Sequence, residues 1–105
     1  MNIPHSPSEL ERLYATRFAG LAVYRDQVWK VLVKDFFSRW LPSRGSLLDL
    51  GCGHCEFINN APVETRFGMD LNPDVANRAA PGVQLLRQSC AERWALPDDS
   101  LDVVF

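Results

Sequence analysis

Two carboxylates and a pair of glycines carry the chemistry of this chain. Leu47-Leu48-Asp49-Leu50-Gly51-Cys52-Gly53-His54-Cys55 reads as a strand entering a glycine turn and then a helix. Gly51 permits the tight turn, and Gly53 lets the backbone approach a ligand with no side chain in between. The helix start behind such a turn offers unpaired N–H groups. A second strand closes in Gly68-Met69-Asp70-Leu71, which sets Asp70 about 20 residues beyond Gly51, the offset of a ribose-binding acid. A carboxylate there accepts hydrogen bonds from both ribose hydroxyls. Turn and acid together predict an adenosine-containing cofactor.

The kind of cofactor follows from charge. A nicotinamide or flavin fingerprint places a third glycine at position 56, where this chain has Glu56. A glutamate there sets negative charge beside a pyrophosphate and crowds the helix against the strand. Asp49, two residues before the turn, suits the opposite polarity. S-adenosylmethionine carries no phosphate, and its far end bears a sulfonium and an ammonium, both cationic.

Asp49-Leu50-Gly51-Cys52-Gly53 resembles the first motif of class I S-adenosylmethionine-dependent methyltransferases, acid-x-Gly-x-Gly. Asp70 matches that family's ribose acid, and Leu71 the apolar residue that packs on adenine. Leu96-Pro97-Asp98-Asp99-Ser100-Leu101-Asp102-Val103-Val104 is similar to its loop into the fourth strand. The resemblance covers Leu47 to Phe105, and the Tyr14 to Trp40 segment suits the family's variable N-terminal helices. It implies a seven-stranded sheet flanked by helices, and methyl transfer to a nucleophile. This chain departs from the pattern at two places. Cys55 stands where the family often has a third small residue. Near Ser89 and Cys90 the acid that reads the adenine amino group is missing, which leaves that task to backbone groups around Cys90 and Ala91. No catalytic base is visible, and the methyl acceptor is unidentified.

Other chemistries compete for the same residues. Cys52-Gly53-His54-Cys55 is also the active-site tetrapeptide of protein disulfide isomerases, and a lowered thiol pKa at a helix N-terminus would serve thiol–disulfide exchange. That family expects an aromatic residue before the first cysteine, where this chain has Gly51. The redox reading also leaves Asp49 and Asp70 without a role, so both thiols are expected to be structural. A zinc site needs more ligands than the pair supplies, and His5, His54 and Cys90 are scattered. A domain that binds S-adenosylmethionine without catalysis is the remaining alternative.

The elements that hold these residues alternate. Ser6-Pro7-Ser8-Glu9 forms a capping box with proline at the first helical position. Gly20 is expected to part that helix from a longer one reaching Trp40. In the second, Trp29, Leu32, Val33, Phe36 and Trp40 form an apolar stripe, with Asp26, Lys30 and Lys34 on the opposite side. Tyr14 and Arg17 could close over a cofactor, meet an acidic substrate, or serve only as a solvated helix face, the commoner case. Strands are expected over 46–50, 65–71, 83–87 and 101–105, with a helix from Cys55 to Asn60 and another begun by Asn72 and Pro73. Asp102 reads as structural. Strand alternating with helix means crossovers and a parallel sheet. The expected fold is α/β: an incomplete, Rossmann-like parallel sheet of about four strands with flanking helices, over 46–105, behind an N-terminal helical segment, 1–45.

Composition sets the outer bounds. The chain has 105 residues, 47% hydrophobic and 23% charged, with a formal net charge of −2. There is no basic footprint for nucleic acid, no polybasic patch and no apolar run long enough for a bilayer. The first residues lack the basic start and apolar run of a signal peptide. An odd number of cysteines, 3, points to a reducing cytoplasm. The resemblance stops before the family's substrate-side part, so the chain by itself is expected to bind cofactor without transferring a methyl group. Leu101 to Phe105, as an outer strand apolar on both faces, is expected to self-associate.

Overall fold

The computed structural model describes residues 7–105, without the side chains of residues 7, 10, 11 and 13–19. The cap at Ser6, His5, and the side chains of Tyr14 and Arg17 lie outside the described residues.

One long helix, α1, runs from Pro7 to Asp35 and passes through Gly20 without a break. A glycine in a helix costs about 1 kcal/mol relative to alanine, too little to divide a helix of this length. The expected break is therefore absent. Nor does the helix reach Trp40: it ends at Asp35, and a 3₁₀ turn follows over Phe37–Trp40. The Ser38 hydroxyl donates to the Lys34 carbonyl at 2.7 Å, taking one acceptor that the ended helix leaves open. The tighter turn aims Phe37 back at Trp29, where the rings stack at 6.1 Å.

The apolar stripe consequently splits. Trp29, Val33 and Phe37 pack toward the sheet, whereas Leu32, Phe36 and Trp40 are exposed. Asp26 is not on the outer side either. It is half-buried, accepts from the Asn60 amide at 3.0 Å and pairs with Lys30 at 3.0 Å.

The remaining elements are β1 (Ser46–Leu50), α2 (Glu56–Asn60), β2 (Thr65–Met69), a 3₁₀ turn over Pro73–Asn77, β3 (Val83–Leu86) and β4 (Val103–Val104). β1 has its expected bounds, β2 and β3 end before theirs, and β4 keeps only Val103–Val104 of the expected 101–105. Asn72 caps the 3₁₀ turn as expected, its side chain accepting from the Asp74 N–H, with Pro73 following. The strands form one parallel sheet in the order β3-β2-β1-β4. This is an α/β, Rossmann-like arrangement.

Register fixes the faces. Leu47 and Asp49 of β1 lie level with Arg66 and Gly68 of β2, Val83 and Leu85 of β3 follow, and Val103 of β4 joins Leu47. That face carries the main core, where Leu47 and Ile58 are fully buried with Val33, Phe57 and Val75. Leu48 and Met69 are buried on the opposite face. Full burial of each such side chain contributes roughly 1.5–3 kcal/mol. The short helix α2 is held at its end by Arg66, whose Nη1 donates to the Ile58 and Asn59 carbonyls at 3.0 and 3.1 Å. Asp102 is structural, as expected. Its carboxylate accepts from the Ser46 N–H at 2.8 Å, and its own N–H returns to the Ser46 carbonyl at 3.0 Å.

Candidate functional site

All strands being parallel, the ends of β1, β2, β3 and β4 share one edge of the sheet. From β1 the chain steps outward to β2 and β3, then crosses back to β4 on the other side of β1. The crevice between β1 and β4 is thus a topological switch point, the place where open α/β sheets bind ligands.

The glycine turn sits at this crevice. Gly51 and Gly53 have φ of 72° and 53°, and Cys55, the N-cap of α2, has φ of 63°. Every second residue is therefore left-handed, and glycine takes up that conformation most readily. Cys55 accepts the strain because its side chain is fully buried in the core. The Met69 carbonyl receives two consecutive N–H groups, from Gly51 at 2.8 Å and from Cys52 at 3.0 Å. Gly68 makes room for this crossing. A Cβ built there would stand 3.0 Å from Cys52 Sγ and 3.3 Å from Leu85 Cδ2.

Asp70 clasps the turn from below. One carboxylate oxygen accepts the Gly53 N–H at 2.8 Å and the other the Asn72 N–H at 2.9 Å. The backbone N–H groups of Asn72, first, and then of Gly53 and Leu71 hold its pKa below the ordinary carboxylate value. Asp49 is in the opposite situation. It is buried at 5% exposure, and desolvation raises its pKa to about 6, with the charge of Asp70 adding to the rise and the Ile58 N–H opposing it.

A pocket of about 320 Å³ opens beside the turn. Asp49, Gly51, Cys52, Gly53 and His54 form its floor, and Glu56 and Phe57 its α2 wall. Phe105 closes the β4 side, stacked on Phe57 at 3.7 Å between ring centres. Arg25 and Trp29 reach it from α1, and Arg25 Nε donates to Glu56 Oε2 at 2.9 Å. A larger hollow of about 460 Å³ is lined only by residues of the loop between Glu92 and Leu101, and takes none from the glycine turn.

Asp49, Gly51 and Gly53 thus come together at one pocket, and Asp70 joins them through Gly53. Leu71 follows Asp70 and is 65% exposed, an open apolar surface for a ring to cover. Cys90 and Ala91 lie in the loop after β3, both exposed. The Ala91 N–H is engaged by Ser89 Oγ at 3.1 Å, and the Cys90 carbonyl accepts the Trp94 indole N–H at 3.0 Å. Sequence reasoning missed Arg25, Trp29 and Phe105 as pocket residues. The signal was in α1: Arg25, Trp29 and Val33 follow at intervals of four, so the core stripe continues one turn toward the site and there becomes basic.

The two thiols of the turn are buried, with Sγ atoms 3.8 Å apart. Burial raises the pKa of both. A redox cysteine needs the reverse, a lowered pKa and an open approach. Among the described residues no group of three or more His, Cys, Asp or Glu could hold a metal ion, and no helix is long and apolar enough to cross a membrane. Compared with models of known families and with curated proteins, the chain matches none.

Proposed function

We propose that this protein binds S-adenosylmethionine and belongs to the methyltransferases that use it. The observation that carries the reading is the polarity of the switch-point pocket: Glu56 is paired with Arg25 on its wall, and the buried carboxylate of Asp49 on its floor has no cation paired to it among the described residues, where a pyrophosphate site would hold N–H groups. Such a pocket favours a cationic ligand. Asp70, a carboxylate at the end of β2 that is tied to the turn through Gly53, supports a ribose beside the turn, and Leu71 an adenine edge.

In this reading Gly51 and Gly53 let the ligand lie against the backbone, while Asp49 faces its positive end. The cofactor supplies an electrophilic methyl group and its own leaving group, so the protein's share is to orient the reactants and exclude water. Trp29, Phe57 and Phe105 supply the apolar wall for that exclusion. The methyl acceptor is proposed to approach over Phe105, and a reducing compartment such as the cytoplasm suits three free cysteines.

Isothermal titration of S-adenosylhomocysteine and of NAD tests this. The first is expected to bind and the second not, and Asp70→Asn should weaken the first by one to two decades, about 1.4–2.8 kcal/mol. Binding of NAD alone would overturn the reading.

A further inference from the structure

α1 carries a second apolar face beside the one it packs on the sheet. Trp29 and Val33 enter the core, and Arg25 and Asp26 are tied to α2 through Glu56 and Asn60. At about 100° per residue, Leu21, Tyr24, Val28, Val31 and Leu32 fall together on a separate side of the helix. All five are exposed. Leu21, Tyr24, Val28 and Val31 follow at intervals of three, four and three, the spacing of a seam between paired helices. A hollow of about 330 Å³ lies along it, lined by Gln27, Val28, Val31 and Leu32.

We propose that this face pairs with the same face of a second copy of the chain, the two α1 helices running antiparallel. One register matches the seam to itself. It sets Leu21 level with Val31 of the other copy and Tyr24 level with Val28, and the two-fold axis makes each contact twice. Every layer then joins a larger side chain to a smaller one, and Tyr24 comes over the hollow of the other copy. Charge favours the same arrangement. Between positions 20 and 35, Asp35 at the helix end is the one charged residue in line with the seam, since Arg25 on its flank is held by Glu56. Parallel helices would set Asp35 against Asp35, whereas the antiparallel register parts them by about 27 Å. The seam offers a charged partner nothing to pair with. Its five apolar side chains expose on the order of 500 Å² on each copy, so a pair removes about 1,000 Å² from water, the lower bound for a specific interface. An area of that size fits a weak, reversible dimer with a Kd of about 10–100 μM.

Sedimentation velocity of the full chain tests this. Val104→Lys serves as the parent, so that the exposed edge of β4 is blunted and only α1 is left to pair. Between about 5 and about 500 μM the parent should pass from monomer to dimer, the range expected of so small an interface. Val28→Lys puts a charge in the middle of the seam and should weaken the dimer at least tenfold. Val23→Lys is the matched control. Val23 is also exposed but falls between Lys30 and Lys34 around the helix, off the seam, and its replacement should change the dimer by less than threefold. Thermal melting of each variant checks that the fold is intact. Asp35→Asn should also change the dimer by less than threefold, and a tenfold tightening would mean parallel helices and overturn the register. A folded parent that stays monomeric at the highest concentration overturns the proposal, and so does equal weakening by Val28→Lys and Val23→Lys.

Discussion

Asp49 and Asp70 flank one turn and respond to pH in opposite senses. Asp49 has its pKa raised from 3.8 to about 6 by burial, so the folded state holds its proton more tightly than the unfolded one. The stability this contributes is complete below the unfolded value and is lost as pH rises through about 6. The loss amounts to about 3 kcal/mol. Asp70, with its pKa lowered, contributes stability above the unfolded value and loses it as pH falls. Asp49→Asn should therefore raise the melting temperature of the ligand-free protein at pH 8 and leave it nearly unchanged at pH 4. The same variant should bind S-adenosylhomocysteine more weakly at pH 8. Melting curves at both pH values check the first expectation and titration the second; a wild-type melting temperature that does not fall from pH 4 to pH 8 relative to Asp49→Asn would show that Asp49 is not ionising at a cost. Both acids were legible in the sequence from their offsets to the glycines. The clasp of Asp70 on Gly53 was not, because that bond joins residues 17 apart and depends on where β2 stops.

At the scale of elements, the turn and β2 are fitted to each other at one contact. Gly68 lies under Cys52, with 3.0 Å between a built Cβ and the sulfur. Gly68→Ala should destabilise the protein by about 1–3 kcal/mol, the usual cost of overpacking a close-packed site. It should also shift the turn and weaken ligand binding. Adding Cys52→Ala should recover most of the stability, since the small side chain removes the collision. Urea denaturation of the single and double variants reads the coupling, and simple additivity would place the strain elsewhere. The sequence showed a glycine before Asp70 but not what it accommodates, since only the crossing of the turn over β2 brings Cys52 there. β1 was legible to its boundaries because a continuous apolar run entering Gly51 admits one reading. The end of α1 was not. Phe36, Phe37 and Trp40 all suit a helix by type, and the choice among them is made by the ring cluster of Trp29, Phe57 and Phe105.

Across the whole molecule, β4 is the outermost described strand on its side of the sheet, and it differs from the expected five-residue edge. Val103 packs against the core, whereas Val104 is 49% exposed and Phe105 41%. A self-association through this edge would run through Val104, and Val104→Lys is the informative change because a lysine there blunts an edge without entering the core. Light scattering across a concentration series, with Val28→Lys in both chains so that α1 stays unpaired, should show the mass rising without Val104→Lys and remaining monomeric with it. Equal behaviour of the two would remove β4 as the contact. The strand order and parallel sense followed from the alternation of elements, while the exposure of each edge residue depends on α1, whose packing face the sequence divided differently.

The three cysteines differ in one further respect. Cys52 and Cys55 are enclosed beneath the turn, and Cys90 is open to solvent. A maleimide dye added to the native protein should accordingly attach at a single position, one loop beyond β3, without any residue being replaced. The indole of Trp94, bonded to the Cys90 carbonyl, would lie beside the dye and could quench it. The two enclosed thiols would react only during moments when the turn lifts away from Gly68. Their slow modification is then a clock for that opening, and a ligand seated on the turn would slow the clock in proportion to its occupancy.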